Sequence, residues 1–497
     1  MSEHRAVYSR IIASAEALGD AAPGKHRFTE MPVLLTADET VAGTGNGATT
    51  LVNAMRLLSK VTTRVDVCLP ARFSEIRLQL ELDSERRGLL GTISFPDRVR
   101  LDEYPAILTV GSRGMPALPA TLVNSNGWLV RFASDGRNVD CDCSNWNPIG
   151  ALAAASLGVG EVFKRLIQVK DTRGRLLGNS TFSLYTYECG GTDPGPALPG
   201  KMTEPLVLVG AGAIGNGIIE VLRQLRYGGK VIVIDQQKVE DENAGTCLLV
   251  SLADEGTEKA AKAEAELKAA GVDGLGLKAD VADIEPRLGD EVPFTRVVLN
   301  ALDNIPARHA VQRLFWSDLI IDGAVGTFLC QVGRHPWGED VGCLMCCFRE
   351  PEVDGVELAA EATGLSAEQV RDLQAIVTED VVVRAREEKQ VLLRKHIGKP
   401  LCAIVPAAIA QQISERGQAG DFEPSTPFVA CFSACMVMTE AVSFIIGAPS
   451  PASPRFQFDF LVGPQRGEMF AQHRRPDCLC VRARAQIEKL RSARSRK

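Results

Sequence analysis

The sequence predicts an α/β protein with two Rossmann-like domains in one chain, the second interrupted by a helical insertion. Three observations carry this. Short apolar runs ending in glycine or polar residues alternate with helical periodicity in 205–326. A worn copy of the same plan precedes them at 31–68. A Gly- and Pro-rich stretch, GGTDPGPALPGK at 190–201, separates the two.

The first domain spans 1–189. MPVLLTADETVAGTGNGATTLVNAMRLL, 31–58, reads as strand, glycine-containing turn and helix, and VDVCLP supplies the next strand. After the 190–201 linker the second domain opens with PLVLVGAGAIGNGIIEVLRQL, 205–225, then KVIVID, 230–235: a strand, a glycine turn, a helix and a parallel strand. EGTEKAAKAEAELKAAG is helical, and RVVLNALDN, 296–304, and LIIDGAVG, 319–326, are further buried strands ending in polar residues. Residues 202–350 form the first part of this domain. A charged helical insertion follows at 351–426, where Ser366 and Gln369 make a capping box. The domain resumes at 427–480, and a basic tail covers 481–497. Each domain also ends in a long helix of small residues, 147–166 and 427–446, consistent with an internal duplication.

Composition narrows the function classes. The chain has 497 residues, with 55 Lys and Arg against 62 Asp and Glu, for a net charge of −7. That mild acidity argues against a nucleic-acid partner held through overall charge. With 24% charged and 45% hydrophobic residues the composition is that of a globular protein. MSEHRAVYSR shows no signal-peptide pattern, so a cytoplasmic protein is expected. The most apolar run, 427–448, contains Glu440 and many small residues, which favours a buried helix over a membrane span. Monomer and homodimer are both open.

The candidate chemistry starts at Gly210, Gly212 and Gly215, which fit G-x-G-x-x-G between a strand and a helix. Such glycines let backbone approach a phosphate, and the helix N-terminus offers N–H groups to the anion. Asp235 ends the next strand, where a carboxylate can accept from ribose hydroxyls. Alone, these residues indicate a nucleotide and would suit an NAD dehydrogenase.

The residues that follow resemble the E1-like adenylating family, the ThiF, MoeB and ubiquitin-activating enzymes. Gly256-Thr-Glu-Lys259 matches that family's lysine element, Ala301-Leu-Asp303-Asn304 with Arg308 its A-x-D-N…R element, and Cys343-x-x-Cys346 its C-x-x-C pair, in the family's order. AVYSRIIASAEALGD resembles its Y-S-R-Q-I start and puts Arg10 at its arginine. The resemblance implies ATP as substrate with Lys259 and Arg10 as cations at the phosphates, Mg²⁺ on Asp303, and Asn243, Asn304 and Arg308 at the nucleotide. Cations suit this chemistry because a carboxylate attacking an α-phosphate brings two anions together. Two positions depart: Thr246 stands where an arginine is expected, and Gln237 replaces an aspartate. The first domain has no intact fingerprint, so the resemblance makes it an inactive adenylation domain that supplies Arg10.

Fourteen cysteines are clustered rather than spread. Cys343, Cys346, Cys478 and Cys480 read as zinc ligands, since zinc takes four in a tetrahedron and the family pairs its C-x-x-C with a C-terminal pair. Cys347 is an alternative ligand. Cys431 and Cys435, one helical turn apart, read as packing residues. Cys402 sits in GKPLCAIVPAA near Lys395, His396 and Lys399, which would favour its thiolate. It resembles the thioester cysteine of ubiquitin-activating enzymes, though a cysteine among Leu, Ala, Ile and Val also suits a core. The resemblance implies an E1-like enzyme of the kind found in bacterial ubiquitin-like conjugation operons, some of them antiphage. Such an enzyme adenylates the C-terminus of a ubiquitin-like β-grasp protein, moves it to Cys402 and hands it to an E2-like partner. Activation of a sulfur-carrier protein and a non-catalytic scaffold are the alternatives.

Overall fold

The computed structural model describes residues 6–289, 291–349, 355–372, 374–401, 404, 405, 408, 426–449 and 454–494. Two sheets repeat one strand plan. The first holds β1 (Val33–Ala37), β2 (Arg64–Cys68), β3 (Thr92–Ser94), β4 (Ala106–Val110), β5 (Ala120–Asn126), β6 (Leu129–Ala133) and β7 (Ser180–Ser183), in the order β3-β2-β1-β4-β5-β6-β7. The second holds β8 (Leu206–Val209), β9 (Val231–Ile234), β10 (Gly274–Leu277), β11 (Val297–Asn300), β12 (Leu319–Val325), β13 (Leu329–Pro336), β14 (Arg455–Asp459) and β15 (Glu468–Phe470), in the order β10-β9-β8-β11-β12-β13-β14-β15. In both, the strands are parallel through the fifth position and antiparallel beyond it. β1 and β8 therefore hold equivalent places, as do β4 and β11.

The parallel strands are continuous apolar runs because both faces are covered. LVLV, VIVI and VVLN are buried at every residue. These are the strands that the apolar runs predict. The antiparallel extension carries no such local signature, since β13 pairs with β14 across the insertion, Leu329 opposite Asp459.

Four helices, Gly45–Leu58, Pro148–Leu166, Ala213–Gln224 and Pro427–Ile445, pack against one another and join the two sheets. Pro427–Ile445 is, among the described residues, the one helix long and apolar enough to cross a membrane. It is buried at every residue from Pro427 to Ser443, with Cys431 and Cys435 in the packing, as their spacing suggests. Small residues permit the close approach: a Cβ on Gly217 would lie 2.6 Å from the Cβ of Ala434.

Charge also crosses this layer. Arg56 donates to Glu220 at 2.8 Å and to Asp83 at 2.6 Å, and Glu220 pairs with Arg223 as well. Burial pushes the Glu220 carboxyl up, but the Arg56 and Arg223 charges outweigh it and hold the group below its usual range. Lys60, also from the first half, donates to the carbonyls of Ala244 (2.6 Å) and Val250 (3.2 Å) in the second. Burial lowers its ammonium to about 8.

Contacts divide the chain into two compact units, 1–348 with 424–497, and 349–423. Both sheets belong to the first unit. The 190–201 segment, expected as a linker, lies against the first sheet: Trp128 donates its backbone N–H to the Pro194 carbonyl (2.9 Å) and its indole N–H to that of Pro196 (2.8 Å). The basic tail is likewise anchored, since Ile487 is buried and Arg491 reaches Asp318 at 2.6 Å. The second unit contains helices Gly355–Thr363, Ala367–Arg371, Glu379–Arg384 and Glu387–Arg394 around Leu365, Val370, Val382 and Leu393. Both hydrogen bonds of the Ser366–Gln369 box are made, at 3.2 and 2.9 Å.

Replacing Glu220 with Ala leaves Arg56 buried beside Asp83 alone. Urea unfolding followed by circular dichroism is expected to show a loss of about 3–5 kcal/mol for Glu220→Ala.

Candidate functional site

The sequence elements meet at the carboxyl ends of β8, β9 and β11, where an open α/β sheet holds ligands. Leaving β8, the chain turns through Gly210 at φ +96°, a left-handed conformation that suits glycine. A Cβ on Gly215 would lie 2.2 Å from the Gly210 carbonyl oxygen, so only glycine lets helix Ala213–Gln224 start this close to the strand. Gly212 precedes that helix, and the space a side chain would take there is open.

Asp235, just past β9, accepts from the Ala211 N–H and the Gln237 N–H, both at 2.7 Å, which ties the glycine loop to the next strand. Lys259, the first residue of helix Lys259–Ala269, donates to the Gln237 side-chain oxygen at 2.8 Å. The residue that replaces an expected aspartate is thus a neutral partner for the lysine. A cavity beside the loop is lined by Ala211, Asn216, Val239, Val250, Lys259 and Lys262. The loop after β11 is adjacent: the position of a Cβ on Gly210 is 2.9 Å from the Ala301 carbonyl oxygen.

Asp303 and Asn304 are exposed there, and Asn304 caps helix Ile305–Phe315 by accepting from the Ala307 N–H at 2.9 Å. Arg308 points inward. It is buried in an ion pair with Asp322, which also accepts from Asn300 at 2.6 Å, and it stacks 4.2 Å over Phe348. Asn243 closes a capping box with Glu240 in helix Asp241–Thr246. Arg10, on helix Ser9–Glu16, donates to both carboxylate oxygens of Glu242, so the N-terminal helix does rest beside this segment. Thr246 is buried one turn along.

Three contributors carry no motif signal. Asn216 donates to the carbonyls of Ala211 (2.8 Å) and Gly212 (3.1 Å) and accepts from the Leu249 N–H (3.2 Å), bracing the loop. An asparagine inside an otherwise apolar helix face is the only hint of it. Lys60 braces 244–250 from the first half. Asp38 follows β1 at the place Gly210 holds after β8. Its carboxylate accepts from the N–H groups of Thr40 (2.9 Å), Val41 (3.3 Å) and Arg113 (2.9 Å), and from that of Ser112. Burial raises the Asp38 carboxyl, but the Thr40 hydroxyl, which donates to it at 2.6 Å, together with these backbone N–H groups more than offsets that and holds the group below its usual range. The first half therefore carries its own anion where the second has a glycine turn.

Cys343, Cys346, Cys478 and Cys480 are all buried, with their sulfurs within 4.8 Å of one another. A Zn–S bond of about 2.3 Å places tetrahedral sulfurs about 3.8 Å apart. The pairs here stand at 3.8, 3.6 and 3.5 Å, so the donor set and its spacing fit zinc. Hydrogen bonds from Cys343 and the other two thiols push the Cys346 thiol well below the ordinary range. Cys347, the alternative ligand, stands outside this group of four, its sulfur turned to the Gly342 carbonyl at 3.7 Å. Cys402 lies outside the described residues.

Asp38→Asn turns an acceptor into an NH₂ facing backbone N–H groups, an expected cost of about 1–3 kcal/mol at pH 7 by denaturant unfolding. Because the folded carboxyl lies below 3.8, its contribution is present above that value and lost below it. The gap between wild type and variant is expected to close as pH falls through that range.

The chain is 26% identical over 412 residues, 82% of its length and 73% of the relative's, to the uncharacterized protein y4jF of Sinorhizobium fredii. Among solved structures it is similar to E. coli MccB, at 16% identity and a TM-score of 0.36 over 57% of this chain. The match spans 66% of the MccB chain. MccB with bound ATP gives 17% identity, 57% and 68% coverage and a TM-score of 0.34. The ThiF family pattern matches residues 203–480, more than half of the chain and all of the second-sheet site, and the protein is a member of the ThiF family of adenylating enzymes.

Proposed function

We propose that the protein is an E1-type activating enzyme. At the second-half site it adenylates the C-terminal carboxylate of a ubiquitin-like β-grasp protein with ATP. It then moves the acyl group to Cys402 as a thioester for an E2-like partner. One observation carries the reading: two equivalent strand ends differ in how many of their backbone donors the chain's own carboxylate takes, four for Asp38 against one from the glycine loop for Asp235. At β1 the Asp38 carboxylate takes the backbone N–H groups. At β8 the space over Gly212 is open, Asp235 accepts from the Ala211 N–H, and Lys259 lines the cavity beside Ala211. Backbone donors at a helix N-terminus favour phosphate.

In the first step a carrier carboxylate oxygen attacks the α-phosphorus, the bond to the bridging oxygen of the β-phosphate breaks, and pyrophosphate leaves. Repulsion between the two anions is the main barrier that fixed cations can lower. Lys259 is suited to this because Gln237 holds it without cancelling its charge. Arg10 must exchange Glu242 for phosphate to contribute. Asp235 takes the ribose hydroxyls, while Asn243 and Asn304 shape the adjacent loops by capping their helices. Arg308 acts through Asp322 and Asn300, behind the Asp303 loop. Asp303 is an exposed carboxylate suited to Mg²⁺, which would supply further neutralisation of the phosphates. In the second step the Cys402 thiol gives up its proton, the thiolate attacks the acyl carbon, and the bond to AMP breaks with AMP leaving. Lys395, His396 and Lys399 around Cys402 in sequence support that role.

ATP–pyrophosphate exchange, run with a ubiquitin-like protein ending in glycine, tests the first step. Asp303→Ala and Gly215→Ala are each expected to lower the rate by about a hundredfold or more. Wild-type exchange no faster than that of the variants would leave the scaffold reading. Cys402→Ala is expected to keep exchange while losing a carrier adduct that thiol reagents cleave. An adduct that survives the substitution would point to sulfur-carrier activation instead.

A further inference from the structure

Asp303 and Asn304 stand at the start of helix Ile305–Phe315, and that helix is gripped at two levels by the segments that carry the four cysteines. The first arm begins at Cys343 and runs through the short helix Leu344–Cys347. Its Leu344 N–H donates to Gln312 Oε1 at 3.0 Å, and both residues are buried. His309 Nε2 lies 2.5 Å from the Phe348 carbonyl oxygen, and the Arg308 guanidinium stacks over the Phe348 ring. The second arm follows Cys478 and Cys480 into helix Arg484–Arg494. There Arg494 donates to the Leu314 carbonyl, and Arg491 donates to the Trp316 carbonyl and to Asp318 at 2.6 Å. One arm holds the middle of the helix and the other its carboxyl end. The arms are far apart in sequence and meet at the cysteine cluster.

Thiols are weak donors and acceptors, so without an ion the junction between the arms is soft. Four thiolates on one divalent ion make it rigid and add binding free energy to the fold. We infer that Gln312 and Arg491 are positioning residues through which the metal-loaded cysteine cluster sets where Asp303 stands. The cluster then does more than close the fold: its occupancy controls the nucleotide site. The effect on catalysis rests on the adenylation reading above, whereas the mechanical link does not.

The test strips zinc from the full-length wild type with a chelator and follows amide hydrogen exchange by mass spectrometry. Exchange is expected to rise at 303–315 as well as in the two cysteine arms, and to fall again when zinc is returned. Gln312→Leu removes the acceptor for the Leu344 N–H, and Arg491→Met removes the grip on the carboxyl end. Both are expected to raise exchange at 303–315 with zinc still bound, and Gln312→Glu, which keeps an acceptor oxygen, to restore protection. In ATP–pyrophosphate exchange Gln312→Leu is expected to lower kcat on the order of tenfold while KM for ATP stays within about twofold, as a displaced group at the reacting centre would. A chain that releases no zinc overturns the inference, as does faster exchange confined to the cysteine arms, or a Gln312→Leu protein with wild-type protection. Should a variant fail to fold, the stripped wild type decides. A wild type without any ATP–pyrophosphate exchange counts against the adenylation reading, and hydrogen exchange then decides the link alone.

Discussion

The molecule depends on the buried helical layer between its two sheets. Close packing there requires small residues where the helices approach, and it leaves no water to solvate the charges that cross it. Arg56, Asp83, Glu220 and Arg223 meet that constraint by satisfying one another. Lys60 meets it with two backbone carbonyls. Such groups are costly to bury and costlier to separate, so the halves behave as one body. It follows that the segment carrying Asn243 and Thr246 is held from outside its own half: Lys60 bonds Ala244 and Val250, and Arg10 bonds Glu242. A half without a nucleotide fingerprint still shapes the neighbouring site.

Equivalent positions after β1 and β8 show how little distinguishes an occupied anion cradle from a receptive one. Backbone N–H groups that turn inward at a strand end need acceptors. In the first half the chain supplies one through Asp38, whose carboxylate collects N–H groups from the turns after β1 and β4. In the second half a glycine stands at that place, and among the described residues Asp235 accepts from Ala211 and Gln237. Gln237 gives Lys259 a neutral partner, whereas Arg10 on the N-terminal helix is paired with Glu242, one helical turn from Thr246.

Much of this was legible from residues in order. Parallel strands buried on both faces have to be continuous apolar runs, so β8, β9, β11 and β12 and the turns after them stand out locally. The glycine spacing, Asp235, Lys259 and the Asp303–Asn304 pair follow because each sits at a strand end or helix start where backbone geometry restricts the choice. The cysteine spacing named four ligands, and the sulfurs converge. The capping box at Ser366 is a contact over three residues and forms as written.

What only the tertiary structure decided depends on partners distant in sequence. Arg308 belongs to a nucleotide-associated motif, yet Asp322 and Phe348 turn it inward. Cys347 is adjacent to Cys346 of the four-cysteine group, yet its sulfur faces Gly342. Asp38, Asn216 and Lys60 look unremarkable in sequence, because their importance lies in hydrogen bonds whose other ends are supplied elsewhere in the fold. Strand β13 pairs with β14 across an insertion, so nothing local in either segment names its partner. A sequence states the geometry a segment can adopt by itself. Which buried donor meets which acceptor is settled only when packing brings distant segments within three ångströms.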